Sequence, residues 1–558
     1  MHDVVFNRVS RPGSGVSRER IAQAAVALPF VLLGAWLWRA WFRPLTFDDA
    51  YMFYRYAVNV RDGLGIAWNP DGIPTYGTTS QLWTFFVLPF TLVPLSLGHA
   101  LQLASWLTGI AALATLAEAV TRQARSDALR VRSLAFAAIA VPLLLNPVFA
   151  FHLTTGMDTM LSLWANAAVV FALLEYVAAP TAGKSLIVGG LAVVAVLARP
   201  DSGLCALGAP LLAWLTVHGP RRWRDLTGLC ILPVLLIGVE LLVCQWYFQA
   251  PLPLGFYAKS LHSYAGFTSH ENAVQYAYMA GLCALPFAAV LAATLERDKL
   301  AITCALLIPA ALTLLYLLTV RQVMGFVGRY YIPLLPFVIL PALLSADAAL
   351  VRGRVSARRV TVALAVTLGI YAAMRPFELG LERSYTARVV PQPIAVPSLP
   401  VTPHTPMPRY ERWYPTVPVL GSLVAALPPG AVVAASEVGY IGAIAPKVTV
   451  IDLVGLNDTR IGLHGFSMDQ LLERAPDLIW MPHTDYTGLR AAILSDPRLY
   501  EQYVVVADAF NFGIAIRRSS ALRGPLETGL RTAWAKLYPS TNLAEYVVPD
   551  GYTPDRML

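Results

Sequence analysis

Through most of the first 375 positions, apolar residues come in long unbroken runs, not at the spacing of a half-buried helix or strand. A helix needs about 20 such residues to cross a bilayer core. The runs are Ile21–Phe42, His99–Val120, Ser133–Ala150, Met157–Val177, Leu186–Ala198, Gly203–Val217, Leu226–Phe248, Ala273–Leu295, Leu300–Val320, Tyr331–Leu350 and Val360–Ala373. They predict about eleven transmembrane helices. The short fifth and sixth read as a broken hairpin around Arg199-Pro200-Asp201. Leu82–Leu95, interrupted by Pro89 and Pro94, reads as a juxtamembrane helix. Arg375–Tyr414 is proline-rich and reads as an extended linker.

From Val417 the pattern changes. Ala431–Ala435, Val448–Leu453, Asp477–Met481, Tyr503–Val506 and Gly513–Ile516 read as buried strands. Helices fit Val417–Ala426, Met468–Arg474 and Leu489–Ser495. The expected organisation is a cytoplasmic tail (1–20), a transmembrane domain (21–375) with an outer loop (43–98), a linker (376–416) and an extracytoplasmic α/β domain with its tail (417–558).

Composition agrees with a polytopic α-helical membrane protein: 56% hydrophobic and 14% charged residues, with mean hydropathy +0.56. A net charge of +8 would also suit a nucleic-acid binder, but the basic residues sit in short loops between apolar runs, so no nucleic-acid partner is expected. With the N-terminus inside, the inner loops hold Arg122, Arg125, Arg130 and Arg132, then Lys184, then Arg221, Arg222 and Arg224. Arg297 and Lys299 follow, then Arg352, Arg354, Arg358 and Arg359. Counting Leu82–Leu95 as a crossing would put these clusters outside, against the positive-inside rule. The first run is too long for a signal-peptide core and reads as a retained helix. The five cysteines fall in or beside apolar segments without metal-ligand spacing.

Candidate chemistry gathers on the outer side. The stretch Leu45–Trp83 begins with adjacent acids, Asp48 and Asp49. Pro44 should stop the preceding helix, Thr46 or Asp48 can cap a new one, and Gly63 lies near its end. The NPDG at 69–72 signals a turn, and Ser80 can cap a further short helix. Capping would account for one acid, and a second negative charge beside it is repulsive. Asp→Asn at either position is therefore expected to spare the fold and test the chemistry. Arg199 and Asp201 lie inside an apolar stretch, where an ion pair is costly unless it faces a cavity. Lys259 and Arg329 border apolar runs, where snorkelling is the alternative reading. His152 can be a satisfied buried polar group or a ligand. Glu437 follows a predicted strand, and Asp452, Asn457 and Asp458 lie in VIDLVGLND, where capping and Asx turns use the same residues. No dinucleotide or P-loop phosphate motif occurs in the C-terminal part.

The series DDAYMFYRYAVNVRDGLGIAWNPDG, YGTTSQLWT, TTGMDTMLSLW, LARPDSG, PLPLGFYAKS, GRYYIPLLP and ASEVGYIGAIAPKVTVIDLVGLND resembles integral-membrane glycosyltransferases of the GT-C fold that use a sugar carried on a polyprenyl phosphate. The likeness runs from Phe47 to Asp458, and the best-known relatives of that group are mycobacterial cell-wall enzymes that add terminal β-(1→2)-linked arabinofuranose. Where that group often has EGYT-N before Leu-Trp, this chain has Tyr76-Gly77-Thr78-Thr79-Ser80-Gln81. The resemblance implies catalytic Asp48 and Asp49, one as base and the other orienting it or binding sugar. It implies a donor phosphate held by Arg199, Lys259 and Arg329. Arg55, Tyr76, His152, Asp201, Tyr257, Glu437, Asn457 and Asp458 then become candidate substrate ligands. The implied partners are a polyprenyl-phosphate-linked sugar, a cell-envelope glycan, lipid or protein acceptor, and membrane lipids. The acid pair could hold a divalent cation, for which the sequence shows no complete ligand set. Another sugar, or a flippase for a lipid-linked precursor, are the alternatives. A flippase usually shows internal repeats, and none are seen.

Overall fold

A computed structural model describes residues 15–43, 45, 47–216, 223–259, 270–295, 297–319, 326–353, 362, 369 and 415–554. The expected span Val360–Ala373, the linker, Pro44 and Thr46 fall wholly or almost wholly outside these residues.

The long apolar runs fold as helices: α1 (Gly15–Trp41), α4 (Leu97–Gln123), α6 (Thr159–Ala178), α9 (Leu232–Phe248), α10 (His270–Thr294), α11 (Leu300–Thr319) and α12 (Pro336–Val351). Between them lie α2 (Asp48–Arg61), α3 (Gln81–Val87), α5 (Arg132–Leu145), α7 (Ala182–Ala198) and α8 (Gly203–Thr216). Among the described residues, six segments are long and apolar enough to cross a membrane: Leu97–Gln123, Thr159–Ala178, Trp223–Phe248, Ala273–Thr294, Arg297–Thr319 and Ile332–Val351. Val26–Trp41, α5 and α7 are apolar but shorter. The expected run Ser133–Ala150 is broken at Asn146-Pro147, where the chain starts a new short helix that Asn146 caps. The chain thus has the architecture of a polytopic membrane protein. Along α9, Val234, Leu235, Val239, Leu242, Val243 and Trp246 are exposed, an apolar strip suited to lipid. The core lies where α4 packs on α6 and α8 on α11.

The C-terminal domain holds α13 (Thr416–Ala425), β1 (Val432–Ala435), α14 (Gly439–Ile444), β2 (Thr449–Asp452), α15 (Thr459–His464), β3 (Leu478–Trp480), β4 (Tyr503–Val506), β5 (Ile514–Arg517) and α16 (Arg523–Leu537). Every expected strand is present within a residue or two. The sheet order is β2-β1-β3-β5-β4, with β2, β1 and β3 parallel and β5 and β4 antiparallel. Its two faces carry separate apolar clusters, one built around Val433, Leu478 and Trp480, the other around Ile451, Ile479 and Ala515. Strands covered on both faces lose the polar alternation of a solvated sheet, which is why they read as unbroken apolar runs.

The two parts meet through α2 and the loop after it. Ser80 caps α3 by accepting from the Trp83 N–H at 3.2 Å, as its position predicts. The NPDG turn closes with the Gly72 N–H on the Asn69 carbonyl at 3.2 Å. Asn69 then covers the free edge of β2: its amide accepts from the Val450 N–H at 2.8 Å and donates to the Val450 carbonyl at 3.2 Å. An open edge strand is thereby paired by a side chain.

Candidate functional site

Asp48 and Asp49 open α2, and helix geometry turns them in different directions. Asp48 does not cap its own helix, since Phe47 holds that position without a side-chain bond. Its carboxylate crosses to α14 and accepts from the Gly439 N–H at 2.6 Å and the Tyr440 N–H at 2.8 Å. Those N–H groups lack partners within α14, so Asp48 caps a helix from another part of the chain. A Cβ at Gly439 would collide with the Asp48 carbonyl, so only glycine permits the approach. Burial pushes the Asp48 carboxyl up to about 7; the two N–H bonds oppose that and the Asp49 charge adds to it.

Asp49 faces the other way, 3.4 Å from Nη1 of Arg329. Arg329 follows a kink at Val327 and Gly328, with φ of 55° and 77°. His152, wholly buried, holds that kink through its ring nitrogen 2.9 Å from the Val327 carbonyl. His152, read from sequence as a candidate substrate ligand, thus braces the loop that carries Arg329, and its other ring nitrogen is buried without a hydrogen-bond partner among the described residues. Arg329 stacks 5.1 Å from the Tyr330 ring, and Arg199 lies 4.6 Å from the same ring. Burial raises the Tyr330 phenol, but the charges of Lys259, Arg329 and Arg199 outweigh it and leave it below its ordinary value. Two of the three expected cations, Arg199 and Arg329, thus share the Tyr330 ring, and the charge of Lys259 also acts on that tyrosine.

They are not equivalent. Arg199 is engaged by Asp201 through Nε at 3.0 Å and Nη2 at 2.8 Å, and by Asp158 through Nη1 at 3.1 Å. Asp201 is thus a holder of Arg199, as a cation at this depth requires. Among the described residues, Arg329 pairs with Asp49 alone, and its buried Nε has no partner. Lys259, half-buried, forms no ion pair with any described residue. Asp158 and Tyr330 were not singled out from sequence. Asp158 sits in the quoted TTGMDT, and the need of a buried arginine for a second acid was the signal for it. Tyr330, in GRYYIPLLP, gave no such signal.

Glu437 stands beside the acids at the mouth. Half-buried and without a hydrogen-bond partner among the described residues, it is held well above the usual carboxylate range by burial and by Asp48, Asp49, Asp452 and Asp485.

Other candidates serve the framework. Arg55 is wholly buried and donates to the carbonyls of Trp68 at 2.6 Å, Gly442 at 2.8 Å and Val448 at 2.8 Å, and to Asn69 at 3.1 Å. It rivets α2 to the C-terminal domain, a correction to its expected contact with substrate. Asp458 caps α15 on the Ile461 N–H at 3.1 Å and pairs with Arg474 at 2.6 Å, so both oxygens are used. Asn457 donates to Asp452 at 2.9 Å, and Asp452 also accepts from the Val454, Gly455 and Asn457 N–H groups. These two, read as ligands from sequence, fix the loop after β2. Tyr76 stacks on Phe248 at 4.6 Å and accepts from Gln81 at 2.9 Å. Its carbonyl accepts from the Leu254 N–H at 2.7 Å, which ties the YGTTSQ stretch to the segment carrying Tyr257 and Lys259. Tyr257 is half-buried, its ring edge-on to Phe256 at 5.8 Å. Among the described residues, no three His, Cys, Asp or Glu side chains form a group that could hold a metal.

Residues 410–534 match a family model described as a domain of unknown function (DUF8728). No curated protein matches the chain.

Proposed function

We propose that this protein is a membrane glycosyltransferase of the GT-C class that moves a sugar from a polyprenyl-phosphate donor to a cell-envelope acceptor at the outer face of the cytoplasmic membrane. Arabinofuranose is the favoured sugar, from the resemblance of its motifs. In this reading about eleven helices cross the membrane, the N-terminus lies inside, and the C-terminal domain lies outside over the site.

The observation that carries the reading is a carboxylate, Asp49, touching a cluster of three cations in which Arg329 and Lys259 keep unused donors. Sugar transfer from a lipid phosphate needs that pairing: a base for the acceptor hydroxyl and cations for the departing phosphate. The sugar's anomeric carbon bonds to the acceptor oxygen, its bond to the phosphate oxygen breaks, and the acceptor proton passes to a carboxylate. Asp49 suits the base. Asp48 has both oxygens committed to backbone N–H groups, whereas one oxygen of Asp49 has no partner among the described residues. Glu437 is placed to orient the acceptor or share the proton. Arg199, neutralised by two acids, positions Tyr330 and the phosphate-binding side chains.

The test is incubation of the purified full-length protein with a panel of polyprenyl-phosphate sugars and envelope acceptors, followed by mass analysis of the lipid and the glycan. Release of polyprenyl phosphate with matching growth of the acceptor by one sugar supports the reading. Donors that remain intact across the panel, with protein shown to be folded, would overturn it.

A further inference from the structure

At the end of the helical bundle opposite Asp49, a cavity of about 260 Å3 opens between the C-terminal ends of α4 and α6, the middle of α12 and the first turns of α11. One side of it is apolar, lined by Leu174, Val177, Ile302, Leu306 and Leu344. The other carries Arg125, Lys299 and Gln123. Among the described residues neither cation forms an ion pair: Asp298, next to Lys299, is paired with Arg352 at 2.6 Å. The nearby acids are also committed. Glu175 accepts from Gln123 at 3.0 Å, and Asp347 accepts from the Arg125 N–H at 2.7 Å and from Ser126.

Two further lining residues point to an occupant. Thr303 and Ser345 are 2% and 1% exposed, and the hydroxyl oxygen of each is buried without any hydrogen-bond partner. Helical Thr and Ser normally satisfy the hydroxyl on a carbonyl of the preceding turn, as Thr313 does at 2.8 Å. Two unmet hydroxyls on neighbouring helices, lining one cavity with two cations that form no ion pair among the described residues, make a polar cradle beside apolar side chains.

We propose that this cavity is a binding site for an anionic phospholipid, its phosphate between Arg125 and Lys299, its glycerol or ester oxygens on Thr303 and Ser345, and an acyl chain against the apolar wall. Charge-assisted bonds to phosphate supply the affinity, and the buried hydroxyls discriminate the headgroup. The site is remote from Asp49 and stands whether or not that cluster transfers sugar.

The experiment uses full-length protein in neutral detergent. Native mass spectrometry and thermal unfolding are recorded with phosphatidylglycerol, phosphatidylcholine or inorganic phosphate. Phosphatidylglycerol is expected to stay bound and to raise the unfolding temperature, while phosphatidylcholine and free phosphate do neither. The double variant Arg125→Gln/Lys299→Gln should lose about tenfold or more in phosphatidylglycerol affinity. Thr303→Val and Ser345→Ala, which change little volume, should weaken it with the cations intact. Equal binding of the two lipids, free phosphate acting as well as the lipid, or unchanged affinity in the double variant would each overturn the lipid site.

Discussion

Replacing Asp49 by Asn keeps a side chain that can still accept from Arg329 but removes the charge and the capacity to take a proton. Turnover should fall by about 100-fold or more, the scale of a lost general base, with the unfolding temperature nearly unchanged. A rate within a few-fold of the wild type would exclude Asp49 as the base. Asp48 behaves differently because both oxygens accept from N–H groups. An Asn there can satisfy only one of them and turns a donor toward the other, so the structurally silent Asp→Asn substitution expected from sequence does not hold at this position. Its pH dependence follows from burial. With the Asp48 carboxyl ordinarily near 3.8 but about 7 when folded, the folded chain holds the proton more tightly than the unfolded one. The contribution of this group is fully present below about 3.8 and is lost as pH rises through about 7. Asp452, pushed up to about 7 by burial, acts in the same direction. Unfolding temperature should therefore drop by several degrees between about pH 5 and pH 8, and Asp48→Asn should flatten part of that slope. A melting curve that rises across this interval would contradict the burial of both carboxyls.

At the scale of elements, α2 does more than present acids. Arg55, Asn69 and Trp68 bond the edge of β2 and its approach, and Asp48 caps α14, so α2 and its loop bind the C-terminal domain to the helical part, beside the packing of Ala258 on Val454 and Tyr486. Arg55→Met preserves much of the side chain's length but leaves the buried carbonyls of Trp68, Gly442 and Val448 without this donor. At about 1 kcal/mol each, the loss is about 3 kcal/mol, read as early unfolding of the C-terminal domain in a thermal or protease assay. Unaltered protease resistance in that variant would mean the joint is held by other contacts. The strands and most long helices were legible because each is a continuous apolar run bounded by proline, glycine or charge. The joint was not. Asp48 meets partners 391 and 392 positions away, and nothing local distinguishes an acid that caps its own helix from one that caps another. Arg55 looked like a ligand for the same reason: its carbonyl partners carry no side-chain signature in sequence.

Across the whole molecule, the apolar helices give it two ends. One carries the C-terminal domain and the Arg199–Arg329–Lys259 cluster, the other the Arg125 and Lys299 cavity. The convergence of the three cations was readable only from their places at span borders, and their inequality was not, since it depends on Asp158 and Asp201 closing around Arg199. Membrane orientation can be tested by labelling intact cells with an impermeant thiol reagent. A cysteine at the exposed Ser495 should react from outside, and one at the exposed Asp127 only after permeabilisation. The reverse pattern would place the cluster on the cytoplasmic side and remove its access to an outer acceptor.

The cation cluster as a seat for a lipid phosphate is the centre of this account, and equilibrium binding of unglycosylated polyprenyl phosphate probes it without requiring the right sugar or acceptor. Wild-type protein should bind it. Arg329→Gln and Lys259→Gln should each weaken binding by about tenfold or more, the scale of a charge-assisted hydrogen bond. Arg329→Lys, which lacks the planar fork, should fall between Arg329→Gln and the wild type. Asp201→Asn should weaken binding less than Arg329→Gln, because it acts only through Arg199. Affinity that is unchanged in both Arg329→Gln and Lys259→Gln, with the proteins folded, would contradict the assignment.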